Sequence, residues 1–262
     1  MKRLLEGRSC LVSGVGAGTG RAVALAFARE GADLVLACRT ESVAQEVAKE
    51  VEGSGARAVP VVADITRGED RAKLVSAAVA AFGGIDVLVN NAFATGRAGP
   101  LESIDLAKAW RTPFEVNVFG TLLMSQAVIS SMKQRGGGSI VMIGTMAARK
   151  PEAGLAGYGA SKAAILSATQ SFASELGVHK IRVNCVVPGF IDGAHLRTFF
   201  KTEAERLGQS EDDVYQRLAS RNVLRHIATS DEVAAAVLFF ASHMSSAITG
   251  QSLDVNCGEW FG

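Results

Sequence analysis

Apolar positions along the chain fall into short, nearly continuous runs separated by longer segments in which they recur every three or four residues. The runs are Ser9–Ser13, Leu34–Cys38, Ala58–Ala63, Ile85–Asn90, Ser139–Ile143, Ile181–Val187 and Ser252–Val255. Their Val, Ile and Leu content marks them as strands. The intervening periodicity predicts helices over Arg21–Arg29, Glu41–Val51, Asp70–Phe82, Leu106–Trp110, Glu115–Lys133, Tyr158–Leu176 and Asp231–Ala241. Strands without polar alternation suit a parallel sheet covered on both faces. Strand and helix alternate from end to end, which predicts a doubly wound α/β architecture. No fixed-period repeat interrupts it, so residues 1–262 read as one domain. The polar stretch Gly193–Arg221 reads as an insertion over the sheet edge, a lid at about 190–221, and not as a linker.

Composition narrows the function. Of the 262 residues 48% are hydrophobic, enough for one sizeable core. The 27 basic and 26 acidic residues leave a net charge of +1, with no basic stripe to bind nucleic acid or a membrane surface. Cys10, Cys38, Cys185 and Cys257 are far apart, which argues against a disulfide framework and for a reducing compartment. His179, His195, His226 and His243 lack metal-ligand spacing, so no metal is expected. Glu6 and Arg8 interrupt the start Met1–Arg8, no secretory signal is predicted, and the expected location is cytoplasmic. No nucleophile elbow accompanies the sheet, which argues against a hydrolase.

In open α/β sheets ligands bind beyond the carboxyl ends of the strands, and the residues there carry the chemistry. The first strand runs into Ser13, Gly14, Val15, Gly16, Ala17, Gly18, Thr19 and Gly20, a glycine-rich turn opening a helix. Such a turn lets the backbone approach a pyrophosphate at a helix N-terminus, as in a Rossmann-like site, although the spacing is G-x-x-x-G-x-G and not G-x-G-x-x-G. The second strand ends at Cys38-Arg39-Thr40. An acidic residue there would hold a free ribose hydroxyl, whereas Arg39 suits a 2′-phosphate, which favours NADP(H) over NAD(H). Asp64 and Ile65 follow the third strand, where Asp64 can accept from an adenine amino group or cap the next helix. Asn90, Asn91 and Ala92 follow the fourth, with amides able to tie loops together or to start a turn.

Tyr158 and Lys162 stand one helical turn apart and share a face. A nearby ammonium favours the phenolate, so Lys162 is expected to lower the Tyr158 pKa toward a useful range. Thr145 follows the fifth strand and can donate to a carbonyl oxygen as charge develops, or simply turn the chain. Asn117 lies mid-helix, where an amide is unfavourable without a specific partner or water. Pro188-Gly189 ends the sixth strand where a nicotinamide would lie.

Taken together, Gly14, Gly18, Gly20, Asp64, Asn90-Asn91-Ala92, Asn117, Tyr158-x-x-x-Lys162 and Pro188-Gly189 resemble the motif set of the short-chain dehydrogenase/reductase family, in order and spacing, over nearly the whole chain. The resemblance implies that Tyr158 is the general acid or base and that Lys162 holds the nicotinamide ribose. It implies that Asn117 holds a relay water, that Thr145 replaces the substrate-orienting serine, and that the backbone at Ile191 meets the carboxamide. It also implies a dimer or tetramer built through the helices carrying Asn117 and Tyr158. The chain departs from the family in having Ser13 for Thr, Thr145 for Ser, Phe93 for a Gly after Asn-Asn-Ala, and Gly193 for Thr. Phe93, Leu196 and Phe199 are the expected substrate-pocket residues, and they predict a hydrophobic or cyclic ketone or alcohol. Packing of these side chains in a core or oligomer interface is the competing reading. Other chemistry on the same scaffold, such as epimerisation or imine or enoyl reduction, and a weakly catalytic cofactor-binding regulator stay open.

Overall fold

The computed structural model describes residues 3–262; Met1 and Lys2, part of the start read for a targeting signal, lie outside the described residues. Seven parallel strands form the central sheet in the order β3-β2-β1-β4-β5-β6-β9. They are β1 Ser9–Ser13, β2 Asp33–Cys38, β3 Ala58–Val62, β4 Val87–Asn90, β5 Gly138–Ile143, β6 Ile181–Pro188 and β9 Ser252–Val255. A short parallel pair, β7 Ile191–Asp192 with β8 Ala228–Thr229, lies apart from it. The helices are α1 Thr19–Arg29, α2 Glu41–Gly53, α3 Gly68–Phe82, α4 Leu106–Pro113, α5 Thr121–Gln134, α6 Ala156–Leu176, α7 Ala194–Leu207, α8 Glu211–Ala219 and α9 Ser230–Ala241.

The continuous apolar runs have a direct cause. Successive side chains of a strand point to opposite faces, and both faces here are covered. Val12, Leu34, Leu36, Val89 and Val141 pack with Phe27 of α1, Val47 of α2 and Val237 of α9. Leu11, Val35, Leu88, Ile140 and Met142 pack on the other side with Leu74 of α3, Met124 and Val128 of α5, and Ile165 of α6. Reversal of strand order about β1 and β4 leaves a crevice at the carboxyl ends of those two strands. Ser13, Ala37 and Asn90 stand level there across β2, β1 and β4.

Two segments depart from the periodicity reading. The helix predicted over Glu115–Lys133 is divided: its first turns are a π-helical turn at Phe114–Gly120 that continues from α4, and the remainder is α5. Pro113 has no N–H to give to the preceding turn, and the wide turn that follows carries Asn117, fully buried. The stretch 193–221 is α7 and α8 with a small core of their own around Phe200, Val214 and Ile227. The capping box of Ser210 and Asp213 starts α8.

Candidate active site

The glycine loop between β1 and α1 separates into two kinds of position. Gly14 has φ +79°, and a Cβ there would stand 2.5 Å from the Ala92 Cα. A Cβ on Gly20 would collide with the Gly14 carbonyl. Both glycines are required by close backbone packing, and Asn91 locks it by donating from Nδ2 to the Gly14 carbonyl at 2.7 Å. Gly16 faces open space, and the nearest atom to a Cβ on Gly18 would be Ser230 Oγ at 4.0 Å. Gly18 caps α1 with no side-chain hydrogen bond, so the N–H groups at Thr19 and beyond have no side-chain acceptor. Room beside the loop and uncapped N–H groups fit a pyrophosphate. Ser13 is a correction to the cofactor-contact expectation: its hydroxyl is fully buried and donates to the Val89 carbonyl of β4, away from the groove.

A cavity of about 360 Å³ continues from this loop, lined by Gly14, Gly16, Ala17, Arg39, Thr40, Asp64, Ile65, Asn91, Ala92 and Phe93. Val43, Thr112 and Val116 line it too and had no sequence signal beyond being apolar or small. Asp64 accepts from the Thr66 amide at 2.9 Å and from its hydroxyl at 2.7 Å. It therefore caps the turn ahead of α3, whose own N-cap is Arg67. Burial raises the Asp64 pKa, but the Thr66 hydrogen bonds and the charges of Arg39 and Arg67 bring it below the ordinary carboxylate value. A second cavity of about 570 Å³ adjoins the first through Arg39, Phe93, Ala94 and Thr112, and adds Arg97 and Lys108.

The fifth strand and α6 supply the other end. Thr145, just beyond β5, accepts weakly from the Ala147 amide at 3.4 Å, so its turn-forming role is real. Burial pushes the Tyr158 pKa up, the neighbouring Thr145 hydroxyl pulls it down, and the Glu152 charge pushes it up again, leaving it above the ordinary phenol. This corrects the expectation that Lys162 lowers it. Lys162 is only 3% exposed and donates from Nζ to the Ile143 carbonyl at 2.7 Å. Burial brings its own pKa down to about 8.

Asn117 has protein partners for its whole amide. Its Oδ1 accepts from the Ala94 amide at 2.8 Å, and its Nδ2 donates to the Ala94 carbonyl and to Ser161 Oγ, each at 2.9 Å. Ser161 in turn donates to the Tyr158 carbonyl at 2.7 Å. Both amide donors are spent, so the side chain clamps the loop after β4 to α6, and a relay water here would have to be held through an acceptor. Ser161 was missed although it sits between Tyr158 and Lys162; the unexplained polarity of Asn117 was the available signal.

Phe93 stands beside the pair. Its ring centroid is 6.4 Å from that of Tyr158 and 5.9 Å from Lys162 Nζ. The other two expected pocket residues differ. Leu196 packs onto the α7–α8 core, and Phe199 is half exposed with its ring 6.2 Å from Phe200. The aromatic neighbour of Phe93 is Tyr158. At the end of β6, Gly189 donates from its amide to the Val255 carbonyl at 3.0 Å and lies against Asn256 and Glu259, two residues without a sequence signal. Ile191 is held in the β7–β8 pair opposite Ala228. Glu259 accepts from Lys150 at 3.2 Å. Among the described residues no group of histidine, cysteine or carboxylate side chains could hold a metal, no helix is long and apolar enough to cross a membrane, and all four cysteines are free.

Residues 14–259 match the family model described as enoyl-(acyl carrier protein) reductase. The chain is 32% identical to dehydrogenase/reductase SDR family member 4 of Oryctolagus cuniculus, covering 97% of this chain and 94% of that protein. It is also 32% identical to 7alpha-hydroxysteroid dehydrogenase of Escherichia coli K12, with the same coverages. Among solved structures, NAD+-bound xylitol dehydrogenase superposes with a TM-score of 0.87 at 29% identity, covering 96% of this chain and 98% of that one. A short-chain type dehydrogenase/reductase from Mycobacterium marinum gives 0.85 at 29% identity, with coverages of 98% and 97%. The sheet order, the glycine loop and these likenesses agree: the chain belongs to the short-chain dehydrogenase/reductase family, as an oxidoreductase of CH–OH and C=O groups that uses a nicotinamide cofactor.

Proposed function

We propose that this enzyme interconverts a ketone and a secondary alcohol with NADP(H), using Tyr158 as the proton donor and acceptor. The observation that carries the reading is Tyr158 one helical turn from a buried Lys162 on α6, the ammonium held by the Ile143 carbonyl at the end of β5. When bound, the nicotinamide supplies or takes up the hydride. In reduction the Tyr158 hydroxyl gives its proton to the carbonyl oxygen as negative charge builds there, and in oxidation the phenolate takes it back. The Thr145 hydroxyl donates to the same oxygen. Lys162, charged below about pH 8, offsets the negative charge left on the phenol. Asn117 and Ser161 position Tyr158 through the loop clamp and act on no reacting atom.

The cofactor half of the proposal takes Gly14, Gly16, Ala17, Gly18, Thr19 and Gly20 for the pyrophosphate, and Asp64, Ile65, Asn91 and Ala92 for the adenosine. Pro188, Gly189 and Ile191 would meet the carboxamide. Preference for the 2′-phosphate is supported by Arg39, with Arg97 and Lys108 in the adjoining cavity. Three cations face that space, set against Asp105, paired to Lys108 at 3.0 Å, and Asp64 near Arg39. An apolar substrate is supported by the Phe93 ring beside Tyr158. The description of the matched family model favours one second reading, reduction of a carbon–carbon double bond in an enoyl thioester. A screen of ketones, alcohols and enoyl thioesters followed by NADPH absorbance, with product identification, separates the two. Unchanged turnover in Tyr158→Phe on every accepted substrate would sink the proposed mechanism.

A further inference from the structure

Phe93 occupies a position that an apolar pocket wall alone does not explain. Its backbone is pinned on both sides. Asn91 ahead of it holds the Gly14 carbonyl at 2.7 Å, and Ala94 behind it is gripped at both N–H and C=O by Asn117. The side chain is not pinned: 52% of it is exposed. The ring borders the adenosine-side cavity and the cationic cavity together. The lining of the adenosine-side cavity runs from Gly14 to Val116 through Phe93 and Ala94, and neither Tyr158 nor Lys162 is part of it. Instead the ring stands over Lys162 Nζ at 5.9 Å and against Tyr158 at 6.4 Å, tilted by 51°. An aromatic face over an ammonium and a tilted aromatic pair are both attractive contacts.

We propose that Phe93 is an aromatic gate between the two halves of the cofactor groove, closed over Lys162 and Tyr158 until the nicotinamide end of the dinucleotide displaces it. Phe93 is thus a positioning residue that regulates access to the pair. The inference rests on the assignment of Tyr158 and Lys162 to the reacting end. Backbone clamps on both sides leave the side-chain torsions as the hinge, so the ring swings without the loop moving. Contacts broken on opening are charged against the nicotinamide half of the ligand alone; the adenosine half binds in a cavity that is already open.

Calorimetric titration of Phe93→Ala and Phe93→Leu with NADPH, NADH and the fragment 2′,5′-ADP tests this. Loss of the two ring contacts predicts a dissociation constant for each full dinucleotide that falls about tenfold in Phe93→Ala, and by less in Phe93→Leu. The constant for 2′,5′-ADP stays within about twofold of the parent, because that fragment, though it lies in cavities that Phe93 borders, does not need the ring to leave Lys162 and Tyr158. A dinucleotide affinity that is unchanged or weakened, or a fragment affinity that shifts in step with it, overturns the gate. Thermal unfolding of both variants confirms that they are folded. Because the readout is binding, failure here leaves the Tyr158 assignment standing, whereas retained turnover in Tyr158→Phe removes it independently.

Discussion

The two ends of the cofactor groove are built from different materials. The adenosine end is mostly backbone: a positive-φ glycine, a helix start without a side-chain cap, and strand ends in register, around an open cavity. The reacting end is mostly side chains: Tyr158, Thr145, Lys162, Asn117, Ser161 and Phe93, several of them buried and joined by hydrogen bonds or ring contacts. Backbone recognition asks only that space be kept clear, so it tolerates any neighbour that does not fill it. Side-chain chemistry needs each group held in one orientation, which demands a supporting network.

Substitutions at the two ends should separate accordingly. Tyr158→Phe carries the largest expected effect, a loss of about 10²–10⁴ in kcat with cofactor affinity retained, read by steady-state kinetics beside NADPH titration. Lys162→Met should lower kcat nearly as far while raising thermal stability. Its folded pKa of about 8 lies below the unfolded value near 10.5. The buried charge therefore costs stability in full below pH 8, and the cost fades as pH rises toward 10.5. A rise in Tm of a few degrees at pH 7, shrinking at pH 9.5, is the result to look for. A lower Tm at pH 7 would break the contrast between a strained reacting end and a relaxed adenosine end.

Intermediate effects are expected in the clamp and the cationic cavity. Asn117→Ala leaves the Ala94 amide and carbonyl without partners, at about 1–3 kcal/mol for each buried group. Denaturant unfolding should show the loss, and kcat should fall with it while the fragment 2′,5′-ADP still binds. Arg39→Ala should weaken NADPH about tenfold and leave NADH unchanged, measured by titration. Equal effects on both cofactors would defeat the 2′-phosphate assignment. The smallest change concerns pH. As pH rises through about 8 in the cofactor-free enzyme, Lys162 loses its charge. The kcat/KM profile for carbonyl reduction should then bend downward there, since that ratio reports free-enzyme groups.

The same contrast explains what the sequence made legible. Gly14 and Gly20 are visible because positive φ and close backbone approach exclude other residues, and a single residue type records the requirement. Tyr158 and Lys162 are visible because one helical turn sets their spacing. Partners 23 and 44 residues away from Asn117 leave no local trace, so its clamp cannot be read from the sequence around it. Ser13 misleads because strand ends point toward the groove while alternate side chains point into the sheet. The small core that takes up Leu196 is not legible because a polar stretch hides its few members. The wide turn at Phe114–Gly120 has no periodicity of its own to detect.

The pairing of β6 with β9 bears on how the protein is made. A nascent chain that has emerged as far as Pro188 already contains the glycine loop, Tyr158 and six strands of the sheet. The partner of Cys185–Pro188 is Ser252–Val255, which is synthesised only after α7, α8 and α9. Until then β6 is an uncovered apolar edge, able to recruit a strand from a neighbouring chain. Translation pauses between residues 188 and 252 would thus raise aggregation more than pauses of equal length elsewhere.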